Sequence, residues 1–338
     1  MTTHANTSLL EIENLRMYYR LASGAVLKAI DGVTFSMKRG DKLGLVGESG
    51  CGKTSLAMTI LGLLPENARV FGGKILFEGD DVLGFSTRQW KDFRWKKVSM
   101  IFQAAMNALD PVYRVGKQLS DVYRLHHECP KEEAMEHVKS LFKIMGLPVS
   151  RMNSYPHQLS GGMKQRVIIA MSLLCNPSLV IADEMTTGLD VIIQDQIMRE
   201  ISSLIEQMGL SILLVSHDVS LVTEVCRKIL VMYGGKMAEY GDIGDVFFEP
   251  SHPYTIGLIN AFPSIRGPNK SLEALPGAPP NLATNLAGCR FAPRCPRREG
   301  LCEKEDPPAV QLSDNHMSFC YFAKDPNLKN IRFGEISD

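Results

Sequence analysis

The 338-residue chain lacks any apolar run near the roughly 20 residues that cross a bilayer. It also lacks a basic N-terminal region followed by an apolar stretch, since it begins MTTHANTSLLEIENL. These two absences predict no signal peptide and no transmembrane helix, and hence a cytosolic chain with reduced thiols and no disulfide framework. Net charge is absent too: 37 Lys and Arg stand against 37 Asp and Glu. That excludes coating nucleic acid or an anionic membrane by bulk electrostatics and leaves only local basic patches. Tandem repeats and low-complexity tracts are missing. What is present is a globular composition, 45% hydrophobic, in a length that fits about two domains.

Two residue types are unevenly spread. Cys51, Cys129, Cys175 and Cys226 are scattered, whereas Cys289, Cys295, Cys302 and Cys320 crowd into the last fifty residues. Residues 246–338 also hold 12 of the 18 prolines, which forbids long helices and central strands there. The texture predicts a body at 8–245 and a small, loop-rich C-terminal domain at 246–338.

Within the body, LLEIENLRMYY and AVLKAIDGVTFSM alternate apolar and polar residues, the period of half-buried antiparallel strands, with LASG as the turn between them. GGKILFEGDDVL reads as another hairpin. Residues 115–150 have helical spacing and no strand-like run. DKLGLVG, SLVIADE and SILLVSH are short continuous apolar runs. The last two are separated by a helical segment, the pattern of buried parallel strands with functional groups at their carboxyl ends.

Residues 47–54, Gly-Glu-Ser-Gly-Cys-Gly-Lys-Thr, follow one such strand and open a helix. They match G-x-x-x-x-G-K-[ST]. The backbone of Gly47, Ser49, Gly50, Cys51 and Gly52 can turn N–H groups toward phosphate oxygens. Lys53 then reaches the β- and γ-phosphates, and the Thr54 hydroxyl ligates Mg²⁺. A glycine-rich turn before a helix is the bland alternative. Asp183 and Glu184 end SLVIADE. Such a pair places one carboxylate on Mg²⁺ and the other on the attacking water, although many strands end in a merely solvated carboxylate.

Residues 159–166, Leu-Ser-Gly-Gly-Met-Lys-Gln-Arg, stand between these two motifs. Ser160, the amides of Gly161 and Gly162 and a helix N-terminus make a second anion site, with an ordinary capped helix as the alternative. LSGG followed by a basic, Gln-containing helix resembles the signature of ATP-binding-cassette (ABC) transporter ATPases, and the three motifs stand in that family's order. The resemblance implies an α/β fold: a P-loop NTPase core, an antiparallel β subdomain and a helical subdomain at about 106–175.

The same resemblance implies further roles. Gln103 in MIFQ is similar to the Q-loop glutamine, which touches Mg²⁺ or water and senses the transmembrane partner. Asp190 in TTGLD resembles the D-loop aspartate, and His217 in LLVSHD the histidine that contacts the γ-phosphate. Tyr19 resembles the aromatic residue that stacks on adenine, with Tyr18 a rival and a core-facing strand tyrosine the alternative. Ser55 joins the phosphate loop in binding ATP, and Glu184 becomes the catalytic carboxylate. Met185 stands where the family usually has Pro, which loosens the turn without removing a reacting group. ATP on one subunit is completed by Ser160, Gly161, Gly162 and Asp190 of another.

Ser-His-Pro-Tyr-Thr at 251–255, GLINAFP and the stretch LPGAPPNL…GCRFAPRCP…C resemble the C-terminal region of oligopeptide/dipeptide importer ATPases, a subfamily that includes nickel and glutathione importers. The resemblance implies two permease subunits, a second ABC ATPase (a homologue or a second copy), an extracytoplasmic peptide-binding protein and no nucleic acid. The chain would sit peripherally on the cytoplasmic face of the membrane, with permeases docked near Gln103 and residues 104–112. A soluble, non-transport ABC ATPase is the competing class. The spacing Cys289-x5-Cys295-x6-Cys302-x17-Cys320 admits a [4Fe–4S] cluster or Zn²⁺, and some importer ATPases of this kind carry the cluster here. Reduced structural thiols are the bland alternative. Arg290, Arg294, Arg297 and Arg298 among them read as a charge offset, a solvated basic face or a permease contact.

Overall fold

Alternation in the first forty residues produces two long strands, β1 (Ser8–Arg20) and β2 (Val26–Lys38), paired antiparallel from Ser8↔Lys38 to Arg20↔Val26. The computed structural model describes residues 8–103, 108–185, 191–261, 275–284 and 286–333. Next come β3 (Lys42–Val46), α1 (Lys53–Ile60), β4 (Ala68–Phe77), β5 (Asp80–Asp81), α2 (Thr87–Phe93) and β6 (Val98–Ile101). Three helices follow, α3 (Val115–His127), α4 (Lys131–Ile144) and α5 (Gly161–Leu173). Then β7 (Leu179–Asp183), α6 (Val191–Met208), β8 (Ser211–Ser216), α7 (Val219–Val225), β9 (Lys228–Tyr233) and β10 (Lys236–Asp242). The last elements are short: α8 (Ile243–Phe248), α9 (Pro253–Asn260), α10 (Gly300–Lys304), β11 (Val310–Ser313) and β12 (His316–Ser318). The proline density of the tail accounts for that brevity.

The chain divides into two compact units, Met1–Leu83 with Val215–Asp338, and Gly84–Leu214. The first unit holds an antiparallel sheet in the order β2-β1-β4-β5 and a second run of strands, β11-β12-β10-β9-β3. β3 pairs parallel with β9 from Leu43↔Lys228 to Val46↔Val231. All five residues of β3 are buried, which is why it reads as one apolar run rather than an alternation. The proline-rich tail belongs to this unit, with β12 added to β10 through Tyr240↔Met317.

In the second unit β6 pairs parallel with β7, and β8 lies on the other side of β7. The helical stretch expected at 115–150 is α3 and α4. α4 buries Ala134, Val138, Leu141 and Phe142, one stripe at helical spacing. His137 Nε2 meets the Leu174 carbonyl at 2.9 Å beyond the C-terminus of α5. Among the described residues no helix is long and apolar enough to cross a membrane.

Candidate nucleotide site

The phosphate loop runs from the end of β3 to the start of α1. Gly47 and Gly52 have φ of 152° and 108°. A Cβ at either would lie 2.1 Å from the Met232 carbonyl oxygen or 2.2 Å from that of Ala29. Backbone packs on backbone there, so only glycine fits. Gly52 caps α1 without a side-chain bond, so the first-turn N–H groups are not occupied by a capping side chain. Lys53, 6% exposed, donates to the Gly47 oxygen at 2.6 Å and to the Glu48 oxygen at 3.1 Å. Ser49, Gly50 and Thr54 are exposed. The buried Cys51 thiol is pushed up by desolvation against the pull of Lys53, which keeps it neutral. The Tyr19 and Ser55 hydroxyls share a 3.0 Å hydrogen bond, so the aromatic candidate on β1 meets α1 directly. Its rival Tyr18 donates to Asp31 at 2.9 Å and stacks on Phe71.

The second unit carries the acidic pair. Asp183 ends β7 buried, and Glu184 follows at φ 46°, a left-handed conformation uncommon for this residue type. Backbone strain of this kind clusters at functional sites. Gln103, just past β6, donates from Nε2 to Glu184 Oε2 at 2.7 Å. Met185 does not leave its turn loose. Its carbonyl accepts from the buried Gln165 of α5 at 2.5 Å. The helix opened by Ser160 is thereby tied to the acidic strand end. Ser160 caps that helix by accepting from Met163 N–H at 3.3 Å, and it is exposed beside Gly161, with Gly162 half-buried. Asp190 and residues 104–107 lie outside the described residues. His217 is an exposed residue between β8 and α7, in the first unit.

Comparison with known proteins decides the family. Residues 30–187 match the model of the ABC transporter family, and residues 238–302 match the oligopeptide/dipeptide transporter C-terminal region. The chain belongs to the ABC transporter family, in its oligopeptide/dipeptide branch. It is 42% identical to the oligopeptide transport ATP-binding protein OppD of Salmonella typhimurium over 93% of each chain. It is 40% identical to the dipeptide transport ATP-binding protein DppD of Bacillus subtilis over 98% of this chain and 99% of that one. Among solved structures, cbiO1 from Clostridium perfringens, part of the transporter complex cbiONQ, aligns at TM-score 0.63 and 27% identity, covering 75% of this chain and 95% of that one. The dimeric cassette MJ0796 bound to ADP and Pi aligns at 0.61 and 23% identity over 69% of this chain and 98% of that one, which shows the fold alone.

The C-terminal region of this oligopeptide/dipeptide-branch chain makes contacts that no motif announced. The Glu48 N–H donates to the Tyr254 hydroxyl at 2.8 Å, so the Ser-His-Pro-Tyr-Thr segment pins the phosphate loop. The same segment anchors on Glu239, fully buried, which accepts from Ser251 and His252 N–H at 2.8 and 3.1 Å and meets His316 Nε2 at 2.7 Å. Burial pushes Glu239 up, against the bonds from His316 and Ser251. Arg290 and Arg294 are no solvated basic face: both are buried and paired with Asp31 and Glu48. Arg297 is half-exposed, paired with Glu299 and Asp325 and lying over Phe322. The sequence signal available for Arg294 was only its place among prolines and cysteines.

His252 gives a pH prediction. Its Nδ1 accepts the Tyr254 N–H at 3.0 Å, and burial lowers its pKa to about 3. The folded value lies below the unfolded one, so the unfolded chain binds the extra proton and stability falls as pH drops between the two. From pH 7 to pH 5 that costs about 2 kcal/mol. Glu239, raised by burial, acts in the opposite sense, so the test compares the parent with His252→Asn. Denaturant unfolding should show the parent losing about 2 kcal/mol more than the variant over that range. Parallel pH profiles would contradict the buried neutral imidazole.

The four tail cysteines are unbonded to one another, and Cys302 and Cys320 are buried. Burial first, and the other thiols of the set next, push Cys295 and Cys320 up to about 12. The four thiols are thus electrostatic neighbours. Among the described residues no group of three or more His, Cys, Asp or Glu is placed to hold a metal ion, so the geometry supports neither the [4Fe–4S] cluster nor the Zn²⁺ expected of these cysteines.

Proposed function

We propose that this chain hydrolyses ATP to power import of di- and oligopeptides across the cytoplasmic membrane, as the peripheral ATPase of an importer with two permease subunits and a second ABC ATPase. One observation carries the reading: an ABC cassette and an oligopeptide/dipeptide C-terminal region occupy one chain, at about 40% identity to peptide-transport ATPases over more than nine-tenths of its length.

In this reading the loop 47–54 with Ser55 binds the phosphates, Lys53 neutralises their charge and Tyr19 carries adenine. Thr54 in the first unit, and Asp183 and Gln103 in the second, have oxygen donors of the kind Mg²⁺ prefers; when bound, such an ion would offset phosphate charge. Glu184 accepts the proton of the attacking water, held in place by Gln103, and His217 senses the γ-phosphate. Ser160 and Gly161, both exposed, would complete the partner ATPase's nucleotide site together with Gly162 and Asp190. Val112, at the end of the segment 104–112 read as permease-facing, is 68% exposed, an apolar side chain of the kind a docking partner covers. Affinity purification from solubilised membranes should bring down two permeases and a second ATPase. A chain that elutes alone from gently solubilised membranes speaks against the assembly.

For the tail we propose that Cys289, Cys295, Cys302 and Cys320 ligate a [4Fe–4S] cluster. Four free thiols that influence one another electrostatically support this. When bound, such a cluster staples a segment too rich in proline to build its own core. Anaerobically purified protein should be brown, with about four iron and four sulfide per chain. Colourless protein with stoichiometric zinc, or with no metal, sinks the assignment.

A further inference from the structure

The six-residue step from Cys289 to Cys295 carries two buried arginines, each paired with a carboxylate of the same unit. Arg294 forms a two-pronged pair with Glu48, Nη1 to Oε2 at 2.7 Å and Nη2 to Oε1 at 3.0 Å. Its Nε donates to the Pro276 carbonyl at 2.7 Å, and Nη1 also donates to the Tyr233 hydroxyl at 3.1 Å. The guanidinium lies over the Tyr233 and Phe291 rings. Burial alone would lower its pKa, but Glu48 and Tyr233 hold it above the ordinary value. Arg290 pairs with Asp31 at 2.5 Å and donates to the Gly234 carbonyl. The next residue, Gly235, donates its N–H to the Cys51 carbonyl at 2.9 Å.

Both arms therefore end on the phosphate loop. Arg294 reaches Glu48 directly, and Arg290 reaches Cys51 through the Gly234–Gly235 turn. Arg290 also fixes Asp31, which holds Tyr18, the neighbour of Tyr19. Glu48 is gripped twice, by its carboxylate and by its N–H on Tyr254. A loop that presents N–H groups to phosphate works only if its peptide planes keep their orientation, since binding and charge stabilisation depend on preorganised donors. A bidentate pair whose arginine is 5% exposed is short, directional and little screened.

We propose that Arg290 and Arg294 are positioning residues for ATP binding and turnover, and that the Cys289–Cys295 loop is a clamp holding the phosphate loop in its binding conformation. The clamp rests on the nucleotide site proposed above and holds whatever the four thiols carry. The C-terminal region is then part of the nucleotide site rather than an accessory to it.

A double-mutant cycle on the full-length chain tests this, with MgATP affinity read by titration well below the melting temperature. Arg294→Met and Glu48→Gln should each weaken MgATP binding about tenfold, and the double variant should be no weaker than the worse single variant, because the two residues act as one unit. Arg294→Lys, which keeps the charge but loses the fork, should fall between parent and Arg294→Met. Should Arg294→Met fail to fold, Glu48→Gln and Arg294→Lys carry the test, since Glu48 is half-buried and its backbone bond to Tyr254 survives. Lower melting temperatures with unchanged MgATP affinity would make the pair structural and overturn the proposal, as would single effects that multiply in the double variant. A parent chain that binds no MgATP would instead remove the nucleotide site, and the clamp with it.

Discussion

Glu184→Gln leaves MgATP bound and lowers turnover at least about a hundredfold, the lower bound for losing a positioned acid–base group. The replacement is nearly isosteric, and Gln103, now 2.7 Å from Glu184 Oε2, still finds an oxygen to bond. The left-handed backbone at 184, φ 46°, is no harder for Gln than for Glu. Folding and binding should therefore survive, while the group proposed to take the proton from water is gone. Because hydrolysis is what separates two cassettes joined by nucleotide, the paired state should accumulate. Phosphate release and size-exclusion chromatography with MgATP check the two halves. Undiminished release would remove Glu184 from catalysis.

Lys53→Ala acts one step earlier, on binding. Lys53 lies 6% exposed at the first turn of α1, with its ammonium bonded to the Gly47 and Glu48 carbonyls. A charged hydrogen bond in such a place is worth about 1.5–3 kcal/mol, so MgATP affinity should fall about tenfold to a hundredfold. ADP, which lacks the γ-phosphate, should lose less. Nucleotide titration separates this variant from Glu184→Gln, which binds but does not turn over. Equal affinity in parent and Lys53→Ala would contradict the phosphate site at 47–54.

What the sequence made legible followed from local physics. Alternation located β1 and β2, and continuous apolar runs located β3, β7 and β8. The phosphate loop was readable because glycine spacing, strand and helix lie within a few residues of one another. The Ser160 cap and the Gln103 position were readable as motifs, but the Gln103–Glu184 bond spans 81 residues and no spacing rule announces it. The Arg294–Glu48 pair spans 246 residues and depends on how a proline-rich tail folds back on its own unit. Charge patterning read Arg290 and Arg294 as candidates for a solvated face, because a linear pattern carries no information on burial. Met185 was read as loosening its turn, and the compensating Gln165 bond comes from 20 residues upstream on another element. The cysteine spacing grouped four thiols in the tail but carries no information on whether their sulfurs close on a metal, because that depends on how the proline-rich segment folds.

The central claim is that ATP hydrolysis by this chain is coupled to peptide movement. The direct measurement is uptake of a labelled di- or oligopeptide into vesicles holding the assembled transporter and its binding protein, with ATP supplied on the side of this chain and phosphate release followed in parallel. Peptide should accumulate with ATP, hydrolysis should rise when peptide and binding protein are present, and both should vanish with Glu184→Gln. ATP hydrolysis that ignores peptide, together with uptake that persists in Glu184→Gln, would contradict the account.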